Sequence, residues 1–207
     1  MAAKTLDEAQ SSEASDQRRD QMLIAAAELI AERGFSETRI ADVARRVGAS
    51  PALVIYYFGT KDSLLTEALR WSERSFYEAA DHMLQRTRSL RRRLQTLVAW
   101  TLVPDQKADL RDWGLWFDLW AQAFRHPAVK RDRAELDQRW RDLIKRVVQD
   151  GIDSGEIGKV DAASFAIMWA ALLDGLAVQV ALEDPLVDGK RAQKVAMAIA
   201  RKELGLA

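Results

Sequence analysis

An all-α fold is what this chain predicts, and three observations carry the prediction. Glycine and proline are scarce, ten and four in 207 residues, while the strong helix formers Ala, Leu, Arg and Glu abound. Apolar residues recur at three- and four-residue spacing in segment after segment. No run alternates with period two over strand length, and no internal repeat or low-complexity segment appears. Hydrophobic residues make up 48% of the chain, which supplies a sizeable core and excludes disorder for most of it. About nine helices are expected.

Residues 1–16 read as a disordered polar tail, because Lys4 stands against Asp7, Glu8, Glu13 and Asp16 and no apolar stretch of signal-peptide type is present. From Gln17 to Arg33, Met22, Ala25, Ala26, Leu29 and Ile30 mark one helix face, and Gly34 closes it. Thr38 reads as the N-cap of a short second helix whose stripe is Ile40, Val43, Ala44 and Val47, stopped by Gly48. Ser50 followed by Pro51 starts a third helix, which ends at Phe58 before Gly59. Thr60 caps a fourth, longer helix with Leu64, Leu65, Ala68, Leu69, Phe76 and Met83 on its stripe. Further helices are expected at about Ser89–Val103, Asp109–Phe124, Val129–Gly151, Asp161–Leu182 and Val187–Leu204, punctuated by Pro104, Pro127, Gly151 and Pro185.

Charge and composition narrow the function classes. Basic and acidic residues balance at 31 each, so no global basic field exists. The absence of cysteine excludes a disulfide framework, a thiolate zinc site and a cysteine nucleophile; it suits a reducing compartment, and a cytoplasmic location is expected. His82 and His126 are far apart, without the carboxylate spacing of a metal motif, and read as structural; no metal or cofactor is expected. The most membrane-like stretch, Ala166 to Leu182, is interrupted by Asp174, Gly175 and Gln179 and reads as a buried helix.

Two short helices joined by Gly48-Ala49-Ser50, with their apolar positions facing one core, have the form of a helix-turn-helix over residues 17–62. Spacing alone leaves other αα corners open. The residue string is more specific: Arg18-Arg19-Asp20-Gln21-Met22, Gly34-Phe35, Thr38-Arg39-Ile40-Ala41-Asp42-Val43-Ala44, Gly48-Ala49-Ser50, Tyr56-Tyr57-Phe58 and Lys61-Asp62-Ser63-Leu64-Leu65. Over Arg18 to Arg70 this resembles the N-terminal domain of the TetR family of bacterial transcriptional regulators. Trp113 to Ala123 and Leu172-Leu173-Asp174-Gly175-Leu176-Ala177 are similar to the BetI-like branch of that family. The resemblance implies a homodimer, one recognition helix per half-site of a pseudopalindromic double-stranded operator, and an effector-binding and dimerisation domain over 63–207.

Within the motif, Thr38 and Lys61 are expected to place a helix N-terminus and an ammonium beside phosphate, which fixes docking without reading sequence. Arg39 and Arg45 are candidates for phosphate or groove contact, and Thr38 to Lys61 carries a net charge of +3. The third helix departs from the family's habit: Ile55 stands where a tyrosine is common, Leu53 where threonine is frequent, and Ala49 where valine is usual. It holds no Arg, Lys, Asn or Gln, so it cannot make bidentate contacts to guanine or adenine. Pro51, Ala52 and Leu53 beside Ser50 are expected to touch thymine methyls, Tyr56 and Tyr57 hydroxyls to bind phosphate or a base edge, and Arg39 or Arg45 to supply any guanine contact.

Trp113, Trp116, Phe117, Trp120 and Phe124 share one helix face. They read either as core or, with Trp71, Trp100 and Trp169, as the lining of an effector cavity for an apolar or cationic small molecule. Ala166, Ala170, Leu173, Asp174 and Ala177, with Val195 and Ile199, are the expected dimer interface; Asp174 could hydrogen-bond across it, cap a backbone group or face water. Arg86, Arg88, Arg91, Arg92 and Arg93 read as a solvated face, intersubunit salt bridges or a second phosphate patch. The competing classes are an all-α enzyme using the tryptophan-rich cavity, which lacks a nucleophile-base pair near those rings, and a structural scaffold, which leaves Thr38 to Leu65 unexplained.

Overall fold

The structure, a computed structural model, describes residues 2–102, 107–124 and 127–206. It is all-helical there: α1 Ala2–Arg33, α2 Ile40–Arg46, α3 Pro51–Phe58, α4 Lys61–Gln85, α5 Leu90–Leu102, α6 Lys107–Ala123, α7 Pro127–Asp153, α8 Ala162–Ala181 and α9 Gly189–Leu204. No strand occurs among the described residues. Pro104 and His126, two of the positions singled out above, lie outside them, as do the side chains of Phe76 and Trp113.

Two compact units form: residues 1–75 with 111–129, and residues 76–110 with 130–207. The boundary expected at 62/63 falls in the first turn of α4, and most of α6, from residue 111 onward, groups with the helix-turn-helix segment. Local contacts account for that grouping. The Phe35 amide donates to the Asp118 carboxylate of α6, and Gly114 lets α6 lie so close to α1 that a Cβ there would stand 3.1 Å from the Ala31 carbonyl oxygen.

In the first unit α1 is longer than expected. The polar stretch read as a tail continues the helix from Ala2, because it contains no Gly or Pro and is built from tolerated helix residues. Met22, Leu23, Ala26, Leu29 and Ile30 of α1 share a core with Val43 and Ala44 of α2, Val54 and Phe58 of α3, and Leu64 and Leu65 of α4. Gly48, at φ +64°, turns the chain between α2 and α3 in the left-handed region that side chains avoid.

In the second unit α5, α8 and α9 pack on one another. The Leu90 amide at the start of α5 donates to both oxygens of Glu156, at 3.2 and 2.9 Å, and Asp161 and Asp188 cap α8 and α9. By length and composition alone α8 could cross a membrane. Its inner face, including Phe165, Trp169 and Leu173, is buried within the unit as in a core helix.

Candidate nucleic-acid interface

The turn between α2 and α3 builds the site from its caps. Ser50 has extended backbone, and its Oγ accepts from the Leu53 amide at 3.2 Å, while Pro51 occupies the first turn. Val54 and Phe58 then point into the core. A helix so anchored must turn Ala52, Ile55 and Tyr56 outward. Pro51 and Ala52 are exposed, Leu53 is half-buried, Ile55 is 48% exposed and Tyr56 82%. Tyr57 is half-buried, edge-to-face against Tyr56 with ring centroids 5.6 Å apart. Ile55, which was not among the expected contacts, sits centrally on this exposed face; the three-residue step from Ala52 was the signal for it.

Thr38 is a correction. It is fully buried, its hydroxyl donates to the Gly34 carbonyl at 2.8 Å, and it caps nothing. Arg39 is the N-cap residue of α2 and makes no side-chain capping bond. The Thr38 side chain therefore cannot meet phosphate; it closes the turn between α1 and α2. Thr60 does cap α4, accepting from the Ser63 amide at 3.1 Å.

The local positive field is also smaller than the sequence count. Arg45 pairs with Asp42 at 3.1 Å, and Arg46 reaches Glu32 at 2.9 Å and Glu28 at 3.3 Å on α1. The hydrogen bond to Glu32 holds the Arg46 guanidinium above its ordinary range. Lys61 donates to the Ser36 carbonyl at 2.7 Å and lies 6.0 Å from the Phe35 ring centroid, so part of its donor capacity is used. Arg39 is exposed and forms no ion pair among the described residues. It is the most available cation of the set.

The expected effector residues divide between the units. Trp71, Trp116, Phe117 and Trp120 are partly exposed in the first unit, with Phe117 and Trp120 ring centroids 5.8 Å apart. Trp100, half-buried, is in the second. Trp169 is a correction: it is fully buried, stacks on Phe165 at 5.6 Å, and donates its indole N–H to the Ala196 carbonyl at 3.1 Å. That ring joins α8 to α9 and offers no surface to a ligand.

The expected dimer residues are likewise partly corrected. Ala166, Ala170, Leu173 and Ala177 are buried within their own unit, on the inner face of α8. The exposed apolar side of α8 carries Ile167, 61% exposed, together with Met168, Ala171 and Gly175. On α9, Val195 is exposed and Ile199 half-buried. Asp174 is half-buried; burial first, and then nearby Asp137, push its carboxyl up to about 6 against the pull of Arg133 and Arg141. Arg93 is tied to the Thr87 carbonyl at 2.8 Å and to Asp150 at 2.5 Å, while Arg86, Arg88, Arg91 and Arg92 are exposed. Among the described residues no group of three or more acidic or histidine side chains could hold a metal ion.

Residues 23–68 match the family of bacterial regulatory proteins of the tetR type, and residues 90–205 match the C-terminal family of BetI-type transcriptional repressors. The chain is 30% identical over 180 residues to the HTH-type transcriptional regulator BetI of Burkholderia thailandensis, covering 86% of this chain and 89% of that one. For the same regulator of Burkholderia lata the identity is 29% over 180 residues, with 86% and 90% covered. Among solved structures, a Saccharomonospora viridis protein described as a transcriptional regulator, crystallised in complex with choline, superposes with a TM-score of 0.82 at 26% identity, over 91% of this chain and 98% of that one. FadR of Bacillus subtilis, solved with stearoyl-CoA, shares the fold with a TM-score of 0.67 at 18% identity, over 86% and 95%. With the family patterns falling on the capped α2–α3 turn and on the C-terminal helices, the chain belongs to the tetR family of bacterial transcriptional regulators and carries a C-terminal domain of the BetI type.

Proposed function

We propose that this chain is a homodimeric, ligand-responsive repressor that acts in the cytoplasm and binds a pseudopalindromic operator through α3, one copy per half-site. The observation that carries the proposal is the outward row of Ala52, Ile55 and Tyr56 on a helix whose other side is locked into the core. Methyl and methylene groups at Pro51, Ala52, Leu53 and Ile55 suit thymine methyls, the Tyr56 hydroxyl suits phosphate, and Arg39 is free for a base or backbone contact. Dimerisation uses the exposed apolar side of α8, centred on Ile167 and Ala171, with Val195 and Ile199 of α9; the buried alanines act within each protomer. The effector is a small apolar or cationic molecule held by rings of the Trp71, Trp116, Phe117 and Trp120 set. The choline in the S. viridis relative supports the cationic choice.

Effector binding shifts the dimer between two states, and its leverage equals its differential affinity for them. The alternative reading, an enzyme built on the tryptophan-rich region, draws no support from a family of regulators. Native mass spectrometry on a duplex selected by the protein tests the proposal. Two protomers per duplex, released by choline or by an apolar ligand, is the expected result; a single protomer per duplex, or no release by either class, contradicts it.

A further inference from the structure

Within the second unit α5 and α9 pack side by side, and a groove of about 610 Å³ runs between them. That volume falls in the ~300–1,000 Å³ range of small-molecule sites. Its floor is apolar: Val98 of α5 and Met197 of α9 are buried, and the small Ala99 and Ala198 beside them leave that hydrocarbon open to a ligand. Its edge is cationic. Lys190, Lys194 and Arg201, at i, i+4 and i+11, follow one side of α9 for about 16 Å. All three are exposed, and none forms an ion pair among the described residues. Gln95 and Gln193 add amide groups, and no carboxylate stands among the described lining residues. The segregation of charge extends to the whole helices. α5 has three arginines and no carboxylate, and α9 sets five cations against Glu203, a net charge of +7 on two adjacent helices of a chain whose total is zero. Arg93 is held by Asp150, but exposed Arg91 stands one turn from Gln95 on the same face of α5.

Cations gathered along an apolar floor select a ligand that answers both. An anionic head relieves the mutual repulsion of the ammonium and guanidinium groups, and the planar fork of Arg201 fits carboxylate or phosphate oxygens in pairs. A hydrocarbon portion covers Val98 and Met197 and gains the burial that a bare anion forgoes. A cationic ligand is repelled, and a duplex is too broad to enter a groove of this volume and offers the floor no hydrocarbon. We propose that the α5–α9 groove is a binding site for an anionic amphiphile, a carboxylate or phosphate head on a short apolar chain, with Lys190, Lys194 and Arg201 on the head and Val98 and Met197 under the chain. The site shares no residue with the tryptophan set proposed for the effector and has the opposite charge preference to a cationic one. It rests on neither the DNA-binding nor the effector reading.

The test titrates the full-length protein with hexanoate and hexyl phosphate by calorimetry, with inorganic phosphate and hexyltrimethylammonium as comparators. Saturable binding of at least one hexyl anion, one per protomer, is expected, and the tighter of the two identifies the head group. Inorganic phosphate and the hexyl cation are expected to bind at least about tenfold more weakly, the first for want of a chain and the second for its charge. Lys194→Gln combined with Arg201→Gln, both at exposed positions, is expected to weaken the hexyl anion about tenfold with the thermal midpoint unchanged. Ala198→Leu, which fills the groove without altering charge, is expected to weaken it as well, and Trp120→Phe to leave it unchanged. Binding of neither hexyl anion, equal binding of the hexyl cation, full affinity in both groove variants, or a loss in Trp120→Phe equal to theirs overturns the proposal. So does a duplex titration in which the Lys194→Gln, Arg201→Gln protein loses about 2 from the salt slope, which would make this edge a contact for the DNA backbone.

Discussion

The Thr38 hydroxyl, fully buried, donates to the Gly34 carbonyl at 2.8 Å, so this residue braces the turn between α1 and α2. Removing the hydroxyl takes one donor from the Gly34 carbonyl, which still accepts from the Thr38 amide at 3.2 Å, so the loss is that of one net hydrogen bond, about 0.5–1.5 kcal/mol. Thr38→Val is expected to lower the free energy of unfolding by that amount, and Thr38→Ser to restore most of it. Once stability is accounted for, the salt dependence of DNA binding should match wild type in both; a changed salt slope would return Thr38 to the phosphate contacts.

Arg39 and Tyr56 separate the contacts by charge. Arg39→Ala removes an unpaired cation and is expected to reduce the slope of log affinity against log salt by about 1. Tyr56→Phe removes a neutral donor, weakening binding by roughly 1 kcal/mol, about fivefold, with the slope unchanged. Titrations at four salt concentrations distinguish the two signatures.

Trp169 and Trp120 should part company in the same way. Trp169→Ala empties a fully buried site and loses the bond to Ala196, so a destabilisation of about 3–5 kcal/mol is expected. Trp120→Phe, at a partly exposed ring beside Phe117, should cost little in thermal stability while shifting the ligand concentration that releases DNA. Scanning calorimetry and a release titration report the two effects independently.

On α8, Ile167→Asp places a charge on the exposed apolar side and is expected to give monomers in sedimentation at concentrations where wild type is dimeric. An unchanged sedimentation coefficient would place the dimer contact elsewhere.

Asp174 supplies a pH signature of folding. Its folded-state pKa of about 6 stands above the ordinary 3.8, so the folded chain binds more protons than the unfolded one between those values. Stability from this group is therefore fullest below about pH 4 and is lost as pH rises through 6. Asp174→Asn should stabilise the protein by roughly 1–3 kcal/mol at pH 8, with the gain shrinking towards pH 4. Chemical denaturation of both proteins at the two pH values measures this.

Helix periodicity made the architecture legible, because α4, α5 and α7 each bury one clear stripe. α8 was legible as a helix but not in its rotation: alanines lie on both faces, Ala166 and Ala170 inside and Ala171 outside, so spacing could not say which side meets a partner. α3 was readable from Ser50-Pro51 and the buried Val54–Phe58 pair, which fix its register. Pairing across sequence distance was not. Nothing near Arg46 announces Glu28 and Glu32, and nothing near Tyr57 announces Ser15; only the packing of α1 brings them together. Trp169 failed as a ligand residue because a tryptophan in an apolar stripe has the same sequence signature whether its N–H finds a backbone carbonyl or a cavity.

The most direct measurement is selection of random duplex DNA by the purified full-length protein, followed by titration of the enriched sequence at two salt concentrations. A pseudopalindrome with half-sites one helical turn apart, bound with steep salt dependence and weakened by Tyr56→Phe, is the predicted result. No enriched sequence, from protein unfolded and refolded to strip any bound effector, would contradict the account.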